Sequence, residues 1–247
     1  MGFHPLLSIY CQAGAAMTAT TTADTTTSPE DRAGATTTRA LVRAWIDGWI
    51  VSRGTSDPMD RPWGWTIDAG TAQHVSRHVL PEPAEDDVRA LVAATTAPGT
   101  WLKLFAEDDA VRPWTGPGWH FDKPGFLMTL PLGAERPEVP AGYTLTSWTR
   151  GGTTRVLVRT TEGHFAARGQ IAPTGTHAVA DQIETSPDHR RRGLGSLVMR
   201  TLQNTAYEAG ATTGILVGTP EGRALYTALG WVTRSPMASL YFKPSEG

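Results

Sequence analysis

The chain has 247 residues, with 22 lysines and arginines against 24 aspartates and glutamates, for a formal net charge of −2. This length allows one large domain or two small ones, since a domain holds roughly 100–200 residues. The balanced charge disfavours nucleic acid or an acidic membrane surface as a partner. The single cysteine, Cys11, excludes an intrachain disulfide, and no apolar run is long enough to span a membrane. We therefore expect a cytoplasmic protein.

Residues 1–37 are predicted to be a disordered tail, because their Thr- and Ala-rich stretch has no apolar periodicity, and Met17 is an alternative start. A helix is predicted over 39–53, where apolar and small residues form a stripe at helical spacing. The stripe consists of Leu41, Ala44, Trp45, Gly48, Trp49 and Ser52. After a stretch of turns, the patterns predict a strand over 71–80, a helix over 85–95, a strand over 100–105, a short helix over 107–112 and two short strands over 119–132.

The segment 132–142 is rich in proline and glycine and is the best candidate for a domain boundary. Seven of the nine tryptophans precede residue 120, so the composition also changes there. The second part predicts four strands, then a helix, a strand, a helix and two final strands, which indicates a mixed sheet with helices packed on it. We therefore expect a supporting unit over 38–132 and a second unit over 133–247.

A glycine-rich motif follows the fourth of these strands, HAVADQIET, residues 177–185. Arg190, Gly193 and Gly195 form the pattern Arg-x-x-Gly-x-Gly just before a predicted helix. A strand that enters a helix through such a turn exposes unpaired backbone N–H groups at the positive end of the helix dipole, which favours a bound anion. By spacing alone, a tight turn beside a solvated run of arginines is an equally good interpretation.

A second motif, TPEGRALYTALGW, occupies residues 219–231 and predicts a helix with Thr219 as its N-cap and Gly230 as its C-cap. Arg-x-x-Gly-x-Gly followed by Leu-Tyr-x-x-Leu-Gly-Trp resembles the GCN5-related N-acetyltransferase (GNAT) family, and the resemblance covers residues 142–247. It implies an α/β (α+β) fold with a mixed, mostly antiparallel sheet flanked by helices. It also implies direct transfer of acetyl from acetyl-CoA to a primary amine of a small molecule or peptide in a ternary complex, and a possible homodimer.

The resemblance assigns roles to residues at matching positions. Backbone amides would hold the pyrophosphate of acetyl-CoA at Arg190, Arg191, Arg192, Gly193, Leu194, Gly195 and Ser196. The preceding strand would pair with the pantetheine arm at Ile183, Glu184 and Thr185. Tyr226 is the expected general acid, and a buried packing tyrosine is the alternative. No metal is expected, because His74 and His78 lie in a predicted strand without a nearby carboxylate.

The general base is open between Asp181 and Glu184, with Asp181 preferred, and a structural pairing with arginine is the alternative for each. Strand alternation predicts Asp181, Ile183 and Thr185 on one face, with Gln182 and Glu184 on the other. A cleft lined by these two acids would favour a cationic small molecule as the acceptor.

The sequence also departs from the family. The two helices that usually follow the first strand are missing, because YTLTSW at 143–148 is followed almost directly by RVLVRT at 155–160. We expect the helix over 39–53 to help complete the acceptor pocket. The element order of the first part resembles the back half of the same fold, so we predict a degenerate GNAT-like unit at 38–132 and a catalytic unit at 133–247. A non-catalytic acyl-CoA-binding module is the alternative function.

Overall fold

The computed structural model describes residues 38–244, so the predicted tail, with Cys11 and Met17, lies outside the described residues. The described chain has five α-helices: α1 Thr38–Arg53, α2 Glu85–Ala94, α3 Asp108–Val111, α4 Leu194–Glu208 and α5 Pro220–Ala228. Its twelve strands are β1 Met59–Arg61, β2 Gly64–Thr71, β3 His74–Leu80, β4 Thr100–Leu104, β5 Trp119–Phe121, β6 Gly125–Pro131, β7 Tyr143–Arg150, β8 Thr153–Thr160, β9 Phe165–Thr174, β10 His177–Thr185, β11 Thr213–Gly218 and β12 Val232–Phe242. Short 3-10 turns span Arg112–Trp114 and Pro187–His189.

All of these strands belong to one mixed sheet, in the order β1-β2-β3-β4-β12-β6-β11-β10-β9-β8-β7, with β5 pairing beside it with β12. Two neighbouring pairs, β3–β4 and β10–β11, are parallel, and the other pairs of the described chain are antiparallel. A helix joins each parallel pair, as a parallel connection requires. The predicted mixed, mostly antiparallel sheet flanked by helices is confirmed.

The two central strands connect the first and second parts of the chain. β6 precedes the irregular 132–142 segment, yet it pairs with β11 of the second part. β12 comes last in sequence, and it pairs with β6 and then with β4 of the first part. Each part therefore contributes a strand that pairs with strands of the other part, and the described residues form one compact unit. The division into a degenerate unit and a catalytic unit stays a prediction.

Helix α1 packs on β9 and β10, on one face of the sheet. Every residue of the predicted stripe is buried, together with Val42 and Ile46. The contact is close at Gly48, where a Cβ atom would lie 2.4 Å from Cγ2 of Val179. This packing brings Ser52, at the end of the stripe, within 2.8 Å of the side-chain amide of Gln170 on β9.

Helix α4 covers the opposite face of β8, β9 and β10. Gly169 precedes Gln170 on β9 and faces the other way, so a Cβ atom there would meet Ile183, Val198 and Leu202. Leu194, Leu197, Val198, Leu202 and Ala206 are buried, as the predicted stripe of this helix requires. The strand that precedes the glycine motif therefore lies between two helical layers.

Two predictions of secondary structure are wrong. The stretch after α1 contains β1 and β2, where we predicted only turns; Trp65 and Ile67 of β2 are buried, and tertiary pairing with β3 outweighs the local turn signals. The two predicted final strands are the single strand β12, whose register shifts between Thr233 and Ser235 and so breaks the alternation of its side chains. None of the described helices is long and apolar enough to cross a membrane.

Candidate active site

The parallel strands β10 and β11 pair only at their beginnings. Their register runs from His177 opposite Thr213 to Val179 opposite Ile215, and the described chain places no ladder partner on that side of β10 beyond this point. Gln182 adopts a left-handed backbone with φ 53°, and the register with β9 shifts between Asp181 and Glu184. Such a bulge bends a strand and increases its twist. It accompanies the slot that opens between β10 and β11.

The bulge overturns the predicted alternation of side chains along β10. Asp181 accepts a hydrogen bond from Ser52 on the α1 side of the sheet, whereas Ile183 packs towards α4. Glu184 bonds Arg168, which shares the α1 side with Gln170 two residues along β9. Because Gln182 takes up the bulge, Asp181 and Glu184 share one face. The prediction that they point to opposite faces is wrong.

The Asp181 carboxylate is heavily engaged. It accepts hydrogen bonds from Ser52 Oγ at 2.9 Å, from Nε and Nη2 of Arg53 at 2.5 and 2.9 Å, and from the backbone N–H of Gln182 at 2.9 Å. Its side chain is only 14% exposed. These four hydrogen bonds occupy both carboxylate oxygens, which leaves little room for an amine to reach them.

Glu184 is in a more open position. Its carboxylate forms an ion pair with Arg168 at 2.8 Å, and both side chains are about half exposed. An exposed pair of this kind contributes only about 0–1 kcal/mol, so it exchanges easily for another partner. Which of the two acids acts as the base stays a prediction, and the geometry favours Glu184.

Tyr226 lies on α5, and its ring rests on the end of β11. A Cβ atom at Gly218 would lie 2.8 Å from Cε2 of this ring, and one at Gly222 would lie 2.9 Å from the same atom. The residue is 8% exposed. Burial and the nearby negative charge of Asp181 raise the pKa of the phenol to about 12. The hydroxyl therefore remains protonated at any physiological pH.

The glycine turn, residues 190–196, presents a run of backbone donors at the start of α4. Arg191 with φ 61° and Gly193 with φ 77° are left-handed. Among the described residues, no acceptor bonds the N–H groups of residues 191–196, and the N–H of Arg190 makes only a long bond of 3.4 Å to Pro187 O. A concave run of free N–H groups at a helix N-terminus is an anion-binding arrangement.

Each glycine of the motif also has a structural reason, which is backbone conformation for Gly193 and packing for Gly195. Gly193 is the N-cap of α4 in a left-handed conformation, which glycine adopts without strain. A Cβ atom at Gly195 would lie 2.9 Å from Cδ2 of Leu225 on α5 and 3.7 Å from Oγ1 of Thr185 on β10. The small residue thus lets α4, α5 and the end of β10 meet beside the turn.

Charged side chains surround this turn. Arg190, Arg191 and Arg192 are exposed. Arg192 Nη1 donates to the hydroxyl of Tyr143 at 3.1 Å, and the same hydroxyl lies 3.1 Å from Nδ1 of His189. Three cationic side chains next to free N–H groups form a site suited to a phosphate group.

A cleft of about 710 Å³ lies on the α1 side of β10, which we call the β7–β10 cleft. Ser52 and Arg53 of α1 form one wall, so the first helix does contribute to it. Strands β7 to β10 supply the floor, including Trp148, Arg155, Arg168 and Gln182. Sequence reasoning missed these arginines and Trp148 because no local motif marks residues that meet only through strand pairing. The buried position of Ser52 at the end of the α1 stripe was the one available signal.

The two histidines considered for a metal lie on β3, four residues apart. In a strand this spacing is about 13 Å, too long for one ion. His74 stacks on Trp101, and His78 bonds Thr66. Within residues 38–244, no group of three or more His, Cys, Asp or Glu side chains is placed to hold a metal ion.

The fold agrees with comparisons to known proteins. A family model described as "Acetyltransferase (GNAT) family" matches residues 94–231, more than half of the chain. The chain belongs to the GNAT family. Membership implies acyl transfer from an acyl-CoA. No curated protein matches the chain.

Solved GNAT structures share its fold. A GCN5-related N-acetyltransferase from Kribbella flavida is 19% identical, with a TM-score of 0.62 over 85% of this chain and 96% of that one. A GCN5-related N-acetyltransferase-like protein from Streptococcus suis is 13% identical, with a TM-score of 0.52 over 83% and 98%. A GNAT-family protein from Novosphingobium aromaticivorans is 17% identical, with a TM-score of 0.51 over 83% and 97%. The similarity thus extends beyond residues 142–247 into the first part.

Proposed function

We propose that this GNAT protein moves an acetyl group from acetyl-CoA to a primary amine of a small molecule or peptide, by direct transfer in a ternary complex. The observation that best supports this is the run of N–H groups at residues 191–196 that have no acceptor within residues 38–244, next to the slot between β10 and β11. Residues 38–244 contain no cysteine, so we assign no covalent acyl-cysteine step to the described residues.

Acetyl-CoA binding would use two neighbouring features. The backbone amides of Arg190 through Ser196, with the three arginine side chains, would hold the pyrophosphate at the positive end of α4. The pantetheine arm would pair with β10 at Ile183, Glu184 and Thr185, since that edge of the strand has no partner towards β11 in the described chain. These are the residues that the family resemblance assigns.

The chemistry requires three groups. The amine must be neutral, so that its nitrogen can attack the thioester carbonyl, and a base must take the proton that it loses. We assign the base role to Glu184, directly or through water, because Asp181 is already held by Arg53 and Ser52. A free N–H of the bulged segment would stabilise the oxyanion. The C–S bond then breaks, and the thiolate leaves towards Tyr226.

The high pKa of Tyr226 refines its role as the acid. The thiol of CoA resembles that of cysteine, whose pKa is about 8.5. Full proton transfer to this thiolate from a phenol of pKa about 12 is therefore unfavourable by roughly 5 kcal/mol. A hydrogen bond from the phenol to the leaving sulfur avoids this cost and still lowers the barrier. We infer that Tyr226 acts mainly as a hydrogen-bond donor and keeps its proton. The thiolate takes a proton from solvent as CoA leaves, and Glu184 releases the amine proton to solvent.

The Tyr226→Phe variant tests this function. Calorimetry should show unchanged acetyl-CoA affinity, and thiol release should fall by about 10²–10³-fold, the usual loss for one donor to a developing charge. Tyr207→Phe, at an exposed position on α4, is the matched control and should retain full activity.

Other outcomes discriminate among the alternatives. Acetyl-CoA binding without thiol release for any amine would support a non-catalytic acyl-CoA-binding module. No binding of acetyl-CoA would overturn both proposals. Unchanged turnover in Tyr226→Phe would remove the role of the phenol. A cytoplasmic location and a homodimer remain proposals based on the sequence and the family.

A further inference from the structure

The register of strands β7 to β10 places chemically distinct side chains in two rows across the β7–β10 cleft. Trp148, Arg155, Gln170 and Asp181 are successive cross-strand partners. The next row contains Leu157, Arg168 and Glu184. Side chains of cross-strand partners point to the same face of a sheet, so each row crosses the cleft from β7 or β8 to the bulge.

The two acids in these rows do not make the cleft attractive to a cation. Arg53 pairs with Asp181, and Arg168 pairs with Glu184. Arg155 also lines the cleft, and it has no hydrogen bond or ion pair to any described residue. Three arginines thus face two carboxylates. The expected preference for a cationic acceptor does not follow from this arrangement, because each carboxylate already forms an ion pair with an arginine.

The outer part of the cleft is apolar. Trp148 is 42% exposed and Phe165 is 40% exposed, and both line the cleft together with Leu157. Large exposed apolar side chains that gather beside a charged group often mark a ligand-binding surface. Trp148 on β7 is the cross-strand partner of Arg155, and Leu157 lies two residues along β8, so a ligand group that reaches Arg155 lies against apolar side chains.

We propose that the amine acceptor also carries a carboxylate, which Arg155 binds beside Trp148 and Leu157, and that a spacer between the two groups crosses β9. This inference rests on the proposed function, because it places the amine beside the bulge of β10. Arg155 on β8 is two strands from β10, a separation of about 10 Å. The spacer must therefore be several carbons long, which excludes a simple α-amino acid as the best acceptor.

Three acceptors of equal chain length test the proposal: 6-aminohexanoate, hexylamine and 1,6-diaminohexane. They end in a carboxylate, a methyl group and an ammonium group. We expect kcat/KM from thiol release to fall in that order, with about a tenfold advantage for the carboxylate, as one charge-assisted hydrogen bond supplies. Equal rates, or a preference for the diamine, would overturn the proposal.

The Arg155→Gln variant locates the effect. It should lose about tenfold in kcat/KM for 6-aminohexanoate, mainly through KM, and leave hexylamine unchanged. Arg155→Lys, which keeps the charge, should restore part of the loss. Arg89→Gln on α2, which lies outside the cleft, is the matched control. A uniform loss for all three acceptors would contradict a carboxylate contact.

Calorimetric binding of the same compounds to the protein saturated with CoA separates this inference from the proposed function. If acetyl-CoA binds but no acceptor is acetylated, the proposed function fails. The carboxylate preference and its loss in Arg155→Gln are still decided by the binding data alone.

Discussion

Lys103 is a buried charge within the sheet, on β4. It is 7% exposed, its ammonium group contacts the hydroxyl of Ser239, and it lies 4.3 Å from the centre of the Trp101 ring. No carboxylate of the described chain forms an ion pair with it. Burial and the positive charge of Arg77 lower the pKa of Lys103 well below its usual value, and Asp122 offsets part of this effect.

The free energy of unfolding should depend on the charge of Lys103. Between its lowered pKa in the folded protein and the ordinary value of about 10.4, the unfolded chain binds more protons than the folded one. Stability therefore rises with pH across this window. Lys103→Met should flatten the rise and stabilise the protein at pH 7 by about 1–2 kcal/mol, because it removes a buried charge at similar side-chain length.

Urea unfolding from pH 7 to pH 10 measures this effect. Lys243→Met, at an exposed lysine, is the control and should follow the wild type at every pH. Parallel pH curves for the wild type and Lys103→Met would show that burial of this amine has no cost.

At the scale of elements, the contact of α1 with the sheet positions one side of the candidate site. Gly48 lies against Val179 of β10. A Cβ atom added at Gly48 would also lie 3.2 Å from the carbonyl oxygen of Ala172 on β9. One turn further on, Ser52 and Arg53 bond Asp181 at the bulge. A shift of the helix would therefore move the groups that hold the Asp181 carboxylate.

The Gly48→Ala variant tests this coupling. Its methyl group would lie 2.4 Å from Cγ2 of Val179, so the helix or β10 must move, at a cost of about 1–3 kcal/mol. The better helix propensity of alanine offsets roughly 1 kcal/mol of this cost, so we expect a net destabilisation of up to about 2 kcal/mol. The acceptor KM should also increase. Unfolding by guanidinium and steady-state kinetics measure the two effects.

A second substitution shows whether the clash with Val179 is the cause. Val179→Ala alone should destabilise through a cavity, whereas the double variant Gly48→Ala/Val179→Ala should lose less stability than the sum of the two single losses. Strict additivity would mean that the two side chains do not interact as described.

For the whole molecule, the exchange of β6 and β12 makes the two parts depend on each other. A fragment of residues 133–247 lacks β6, so the edge of β11 is uncovered and β12 loses both of its long partners. Uncovered strand edges promote aggregation. We expect this fragment to be insoluble alone and soluble when co-expressed with residues 1–132.

Co-expression with residues 1–123, which end before β6, is the matched control and should fail to rescue solubility. Solubility and acetyl-CoA binding of the purified pair are the measurements. A soluble 133–247 fragment that unfolds cooperatively by itself would instead show an independent domain.

Local signals carried much of the prediction. The glycine turn and its helix were predictable because a strand, two glycines and an amphipathic stripe lie within about 30 residues of sequence. The cap of α5 was also predictable, and Thr219 accepts a hydrogen bond from the N–H of Gly222 at 3.2 Å, as expected. β2 was missed because its burial comes from α1 and β3 rather than from its own turn-rich sequence. Local chemistry therefore predicts an element only where the element needs no distant partner.

The sequence by itself predicted the GNAT fold through its resemblance to the family. It also predicted the glycine turn before α4 and the capped helix that carries Tyr226, since backbone preference and periodicity act between residues that are close in the chain. Only the tertiary structure decided the state of the acids. The bulge at Gln182 puts Asp181 and Glu184 on one face, and Arg53, which bonds Asp181, is 128 residues away. Arg155 and Trp148 meet the site through strand register alone. Charge and specificity depend on which side chains meet in space, and sequence order does not contain that information.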